Sequence, residues 1–246
     1  MKVSCLIPCY NERERIARVL NIIVSTKYIQ QVICVDDGST DGTAEYIERN
    51  WPTVEVIRLL HNQGKTKAIK QGLQYVEYAT LLMMDADLQG LQKEELEAAL
   101  DAYKECHEVD MVILRRINSP WFVKWYRSDV LLSGERILQT ADLKQILKQR
   151  LKCYQLEVAI NRYMLRHKKV VRWMPWSAMN TYKVDKLGVL HGSRKEFNMY
   201  VDIVNYVGFS HMCLQLTSFT KKLHYKATAT TPIKEPQQLY LRHYFS

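Results

Sequence analysis

The sequence predicts an α/β fold: an open, mostly parallel, doubly wound sheet flanked by helices, in a single domain with a helical and aromatic C-terminal part. Three observations predict the sheet. Short apolar runs alternate with amphipathic stretches up to Leu114, which is how a parallel sheet covered by helices reads. Polar, carboxylate-rich clusters follow directly on three of those runs, where the strand ends of such a sheet gather at one edge. The chain has 246 residues, 47% of them hydrophobic, enough to bury a core without covalent staples.

The elements follow in order. Val3 to Ile7 reads as a strand, and Glu12 to Val24 as a helix with Ile16, Val19, Leu20 and Ile23 on one face. Gln31 to Val35 is the next strand, running into a turn at Asp36-Asp37-Gly38-Ser39. A helix over Ala44 to Asn50 is capped by Asp41 or Thr43. Val54 to Leu59 is a strand, Lys65 to Tyr75 a helix, Thr80 to Met84 a strand, Leu91 to Cys106 a helix and Met111 to Leu114 a strand. Beyond Arg115 the pattern turns helical at Ser128 to Gln139, Asp142 to Arg150 and Tyr154 to His167, with a strand at Val170 to Met174 stopped by Pro175. This divides the chain into a domain over 1–195, with one half at 1–114 and a second at 115–195, and an apolar, aromatic segment and tail over 196–246.

Composition excludes several function classes. The cysteines at 5, 9, 34, 106, 153 and 213 form no Cys-x-x-Cys pair and have no histidine at zinc-finger spacing, so they read as free thiols of a reducing compartment. No secretory signal is read at the N-terminus, and no apolar run approaches the roughly 18 residues of a spanning helix. The expectation is a cytoplasmic chain, either soluble or peripheral on the cytoplasmic face of a membrane. A net charge of +9 draws anions, but the basic residues are spread out and no recognition-helix or RNP-type pattern accompanies them, so no nucleic acid partner is expected. The histidines do not cluster, there is no Gly-x-Ser-x-Gly elbow, and Gly38 and Gly42 do not make a dinucleotide fingerprint. A nucleotidyltransferase would show a Gly-rich basic loop near the N-terminus, and residues 8–15 contain no Gly.

The chemistry lies at three strand ends: Pro8-Cys9-Tyr10-Asn11-Glu12, Asp36-Asp37-Gly38-Ser39 and Asp85-Ala86-Asp87. Singly, each reads as a turn or cap. Brought to one sheet edge they put several carboxylates in one crevice, where they repel unless a cation or hydrogen-bond donors intervene. Asp85 and Asp87, two residues apart, can present a hard divalent ion, Mg²⁺ or Mn²⁺, that keeps waters and grips a diphosphate. Departure of a nucleoside diphosphate needs such a Lewis acid.

Ile7-Pro8-Cys9-Tyr10-Asn11-Glu12, Val35 to Thr43, Asn62-Gln63-Gly64-Lys65 with Ala68 and Gly72, and Met84 to Gln89 together resemble a family 2 glycosyltransferase of the GT-A fold, on the branch of the dolichyl- and polyprenyl-phosphate sugar synthases. The resemblance implies an inverting, metal-dependent transfer of a sugar from UDP or GDP. It implies that Pro8, Tyr10, Asn11, Glu12, Asp36 and Asp37 hold base and ribose, that Lys65 lies near the nucleotide, and that Asp85, Ala86, Asp87 and Gln89 form the diphosphate and metal segment, with Asp85 and Asp87 as the metal ligands. Leu132-Ser133-Gly134-Glu135-Arg136 resembles a Ser-Gly-x-Arg segment, and Leu156-Glu157-Val158 stands where many members have Glu-Asp. Catalytic roles therefore fall to Asp87, Glu135 and Glu157. With Val158 in place of the second acid, the acceptor is either a lipid phosphate, already ionised, or a saccharide or protein hydroxyl served by Glu157 alone. Arg115, Arg116, Arg127 and Arg136 are the candidate anion-binding groups for that acceptor. A catalytically idle nucleotide-binding module is the alternative of another class. The run from Phe197 to Leu223, followed by Lys221, Lys222 and Lys226, is either core or a membrane-interface segment.

Overall fold

The computed structural model describes residues 1–118, 128–151, 155–180, 206 and 208–223. A seven-stranded sheet organises them. Its strands are β1 (Val3–Cys9), β2 (Ile29–Asp36), β3 (Glu55–Arg58), β4 (Thr80–Met83), β6 (Met111–Arg116), β7 (Arg136–Gln139) and β8 (Val171–Trp176), in the spatial order β3-β2-β1-β4-β7-β6-β8. All neighbours are parallel except the two pairs made by β7, which runs antiparallel between β4 and β6. A separate two-stranded piece pairs β5 (Leu88–Gln89) with β9 (Met179–Asn180).

The sheet is covered on both faces because its central strands alternate between two apolar environments. From β1, Val3, Cys5, Ile7 and Cys9 face one cluster with Ile16, Val19, Leu20 and Ile23 of α1 (Ile16–Ile23) and Leu96, Ala99 and Leu100 of α4 (Lys93–Glu105). Leu6 faces the other, with Ala68 and Ile69 of α3 (Lys65–Gly72) and Leu156 and Ile160 from further along the chain. The remaining helices are α2 (Thr43–Asn50), α5 (Ser128–Leu131), α6 (Thr140–Ile146), α7 (Leu156–Arg166) and α8 (Phe209–Thr217).

Strand order fixes where a ligand fits. The connection out of β1 leads to β2 on one side, whereas β4 lies on the other side, so the carboxyl ends of β1 and β4 flank a topological switch point.

Several sequence expectations need correction. Ser128 to Gln139 is not one helix: it breaks after Leu131, turns at Ser133-Gly134 and becomes β7. Ile137 and Leu138 are fully buried on a strand hydrogen-bonded on both sides, a setting in which a short apolar run cannot be told from a helix by periodicity. The helix expected from Glu12 starts at Ile16, because Asn11 takes a left-handed φ of 54° and the Glu12 carbonyl caps a preceding turn. Pro175 does not stop β8, which runs through it to Trp176; β8 is a sheet edge, where a missing N–H costs no ladder bond. The short β5 and β9 had no counterpart in the sequence reading. The domain boundary expected at 195 and 196 lies outside the described residues.

The described part of the C-terminal apolar run follows the core reading. Phe219 and Leu223 are buried, Gln215 donates to and accepts from groups of α7, and residue 222 bridges to Trp173 at the sheet edge. Among the described residues no helix is long and apolar enough to cross a membrane.

Candidate active site

The loops after β1 and β2 are tied to each other. The Asn11 amide donates to Ser39 Oγ at 2.9 Å, the Thr40 amide to Asn11 Oδ1 at 2.9 Å, and the Glu12 amide to Thr43 Oγ1 at 3.0 Å. Asp41 accepts from the Thr43 amide at 3.0 Å, so it caps α2 as the sequence suggested. Gly38, at φ 73°, passes so close to the His61 backbone that a Cβ would stand 2.7 Å from it, which requires glycine there.

Within this frame Asp36 is buried and accepts from both the amide and the hydroxyl of Ser39; burial nonetheless holds its carboxyl above the usual aspartate value. Asp37 is buried too, and its two oxygens accept from the amides of Gln63 at 2.9 Å and Gly64 at 2.7 Å. It thereby fixes the turn immediately ahead of Lys65. Glu12 pairs with Arg15, whose guanidinium is held above the usual arginine value first by that hydrogen bond and, more weakly, by the charge of Asp87. Tyr10 is exposed at the end of β1, beside the half-buried Pro8.

The segment after β4 alternates like a strand. Ala86 and Leu88 are buried in the core, while Asp85 and Asp87 are partly exposed and Gln89 is exposed. With residues 86 and 88 buried and a turn at 86–87, both carboxylates are left partly exposed beside the core. The far end is anchored by the β5–β9 pairing and by Ser177, whose hydroxyl donates to Glu95 at 2.8 Å and to the Gly90 carbonyl at 3.2 Å.

The second half of the chain supplies the other wall. Lys65 Nζ stands 2.7 Å from Asp85 Oδ1 and 3.0 Å from Glu157 Oε1. Burial works to lower its pKa, but the Asp85 and Glu157 carboxylates, with Glu135 behind them, outweigh burial and hold the ammonium well above the usual lysine value. Gly134 lies opposite this ion pair. Glu135 is fully buried, accepts from Ser133 Oγ at 2.8 Å and lies 3.9 Å from Arg116 Nε. Burial raises its carboxyl pKa, Arg116 opposes the rise and Asp85 adds to it. Among the described residues, no three His, Cys, Asp or Glu groups come together as a complete metal nest. Two partly exposed carboxylates on an anchored segment suit an open site for a hard ion, whose other ligands would be diphosphate oxygens and water.

Residues 4–173 match the family described as glycosyl transferase family 2. The chain belongs to glycosyl transferase family 2. It is 27% identical over 133 residues to an uncharacterized glycosyltransferase of Synechocystis sp., which is 51% of this chain and 42% of that protein. It is 35% identical over 88 residues to the poly-beta-1,6-N-acetyl-D-glucosamine synthase of Staphylococcus aureus, 35% of this chain and 21% of that one. The chain thus spans less than half the length of these curated relatives. Among solved structures, glucosyl-3-phosphoglycerate synthase from Mycobacterium tuberculosis, in complex with Mn²⁺, uridine diphosphate and phosphoglyceric acid, matches with a TM-score of 0.66 at 16% identity, covering 84% of this chain and 78% of that one. Residues 1–349 of S. aureus TarS match with a TM-score of 0.59 at 22% identity, covering 89% and 70%. These likenesses establish the GT-A-type fold of this family 2 member.

Not every expected site residue converges. Arg136 is fully buried and spends its guanidinium on the carbonyls of Ser133 and Leu131 and on Asn161 Oδ1 at 2.7 Å. Burial pushes its pKa down to about 10, so it braces the wall of the site and cannot meet an acceptor from solvent. Arg115 is likewise committed, to Asp129 and to the face of Trp173 at 4.7 Å. Arg116 is the described arginine that reaches the carboxylate cluster, and Arg127 lies outside the described residues. Arg15, Asp129 and Asn161 escaped the sequence reading. Asn161 carried a signal, being the polar residue on a helix turn otherwise facing apolar neighbours.

Proposed function

We propose that this chain transfers a sugar from a nucleoside diphosphate sugar, UDP- or GDP-linked, to an anionic acceptor of the polyprenyl-phosphate type, with inversion at the sugar carbon. The observation that carries the reading is the convergence of Tyr10 to Glu12, Asp36-Asp37 and Asp85 to Asp87 at one switch point of a family 2 fold, closed by Lys65, Glu135 and Glu157. The ring of Tyr10 offers a face to the base, and Pro8, Asn11, Glu12, Asp36 and Asp37 frame the base and ribose. Asp85 and Asp87 hold Mg²⁺ or Mn²⁺, with Ala86 and Gln89 on the same segment. When bound, that ion supplies charge neutralisation on the departing diphosphate. Lys65 adds a second positive charge on the diphosphate side, and the buried Glu135 keeps Arg116 and Lys65 in position.

The acceptor assignment rests on Val158 and Glu157. Val158, standing where the second acid would be, is buried and apolar, and Glu157 is ion-paired with Lys65; of the other carboxylates about that lysine, Asp85 shares the ion pair and Glu135 is fully buried. A phosphate oxygen attacks already ionised and needs no general base. Hydroxyl transfer is the second reading, favoured by the match to a polysaccharide synthase, and it makes Glu157 the base. Nucleoside diphosphate release is to be measured with UDP- and GDP-sugars against polyprenyl phosphate, phosphoglycerate and oligosaccharide acceptors, with and without Mn²⁺. Glu157→Gln separates the two readings: loss by a factor of about 10² to 10⁴ assigns a hydroxyl acceptor, and a smaller effect assigns the phosphate. No turnover with any donor rejects the enzyme reading in favour of an idle nucleotide-binding module. A lipid acceptor also brings the chain to a membrane surface as a peripheral protein, which sedimentation with anionic against neutral vesicles tests.

A further inference from the structure

We propose that Lys65 is a resident stand-in cation for the carboxylate site, and that a donor diphosphate opens the site to the divalent metal by drawing the ammonium off Asp85. The inference rests on the reading of Asp85 and Asp87 given above and concerns what prepares them.

Three carboxylates, Asp85, Glu135 and Glu157, surround one lysine, and the ammonium sits within 3.0 Å of two of them. Such a cluster is tolerable only with a cation in its midst. A divalent ion coordinated to Asp85 would approach that oxygen to about 2.0–2.6 Å. The Lys65 ammonium already lies 2.7 Å from the same oxygen, so the two cations compete for one place. The lysine is built to leave. It is the first residue of α3, on a flexible four-carbon stem, and its side chain is 37% exposed. A diphosphate arriving at the crevice offers it a stronger anionic partner than one carboxylate.

Gly134 gives a second, independent line. A Cβ at that position would stand 2.7 Å from Lys65 Nζ and 2.8 Å from Asp85 Oδ1. Space is left there for the ion pair itself. Free metal therefore meets a site whose charge is already balanced, whereas metal arriving with nucleotide meets freed carboxylates. Metal and nucleoside diphosphate then bind with positive coupling beyond their direct contact, and the coupling is reciprocal.

The test is calorimetric titration of the full chain with Mn²⁺, UDP and GDP, each alone and in the presence of the other partner, for the parent, Lys65→Met and Gly134→Ala. In the parent, Mn²⁺ alone binds weakly and nucleotide strengthens it. Lys65→Met should bind Mn²⁺ alone on the order of tenfold more tightly and lose a similar factor of coupling. Gly134→Ala keeps every charge and crowds both partners of the pair, Lys65 Nζ at 2.7 Å and the Asp85 oxygens at 2.8 and 2.9 Å; the longer lysine stem yields first, so the variant should shift both quantities the same way, and it carries the test if the Met variant fails to fold. Parent-like coupling in Gly134→Ala overturns the inference even if Lys65→Met binds metal better, because a general charge effect then suffices. Nucleotide binding with unchanged coupling in both variants sinks this inference alone, whereas no nucleotide binding to the parent under any condition sinks the site reading with it.

Discussion

Replacing Asp37 with Asn exchanges one oxygen for an NH2 in the carboxylate that holds the turn ahead of Lys65. The parent side chain accepts two backbone hydrogen bonds, from Gln63 at 2.9 Å and Gly64 at 2.7 Å, in a buried setting. Bonds to an ionised acceptor contribute about 1.5–3 kcal/mol each, and a neutral amide oxygen retains one at about 1 kcal/mol. The amide NH2 must then face a backbone N–H, donor against donor. The net loss is about 2–5 kcal/mol, and a domain of this size loses roughly 2–4 °C of Tm per kcal/mol. A melt should therefore fall by roughly 4–20 °C, and the donor KM should rise more than kcat falls, because Gly64 and Lys65 shift with the turn. Both are read by thermal denaturation and by nucleoside diphosphate release across donor concentrations. An unchanged melt would refute the reasoning whatever the donor KM does, since the turn would then not depend on the two bonds to Asp37.

Asp87→Ala should abolish transfer while circular dichroism stays parent-like, because several kcal/mol of leaving-group stabilisation depends on that ligand; parent turnover at saturating Mn²⁺ would remove Asp87 from the metal site. Gly72→Ala puts a Cβ 2.5 Å from Leu6 Cδ1 and Val35 Cγ2, so an overpacking cost of about 1–3 kcal/mol exceeds the helix-propensity gain of up to about 1 kcal/mol, and a Tm at or above the parent's would contradict it. Burial raises the Glu135 pKa, so the folded state binds the extra proton and stability falls as pH rises from about 4.3 through the raised value. Glu135→Gln cannot titrate and should lose that part of the slope in urea midpoints measured between pH 4.5 and 7; an identical slope would place Glu135 in water-like surroundings. Arg136→Met leaves two carbonyls and Asn161 without their donor and should lower stability by about 3 kcal/mol or more, a loss that urea unfolding would show and that an unchanged midpoint would deny.

The first half of the chain was legible because its signals are local. β1, β2 and β4 each end in a polar cluster, and parallel topology alone brings those ends together, so Asp36, Asp37, Asp85 and Asp87 could be placed at one edge without a single contact being known. The second half was not, because its geometry is set by partners far away in sequence. Arg136 reads as a surface cation until Asn161 and the carbonyls of Leu131 and Ser133 are seen around it, and Arg115 reads the same way until Asp129 is seen beside it. The sequence pattern at 128–139 also misled, since β7 is a fully paired strand whose apolar run carries no alternation. The family resemblance put Lys65 near the nucleotide, but its bond to Glu157, 92 residues away, has no local trace.

The antiparallel β7 and the β5–β9 pair set an order of events during synthesis. The pairings among β1, β2, β3 and β4 draw only on residues up to Met83 and can form as these strands leave the ribosome, while the second neighbour of β4 comes only with β7. The pocket chemistry waits. Asp85 meets its facing glycine only when residue 134 has emerged, Lys65 gains its second carboxylate at Glu157, and the carboxylate segment is pinned at its far end only by Met179–Asn180. Closing these long loops comes late and slowly relative to the local helices. A nascent chain stalled near residue 120 therefore carries these strands and the Lys65–Asp85 pair without Gly134, Glu157 or the β9 anchor, and the proposed site is complete only in the last third of translation.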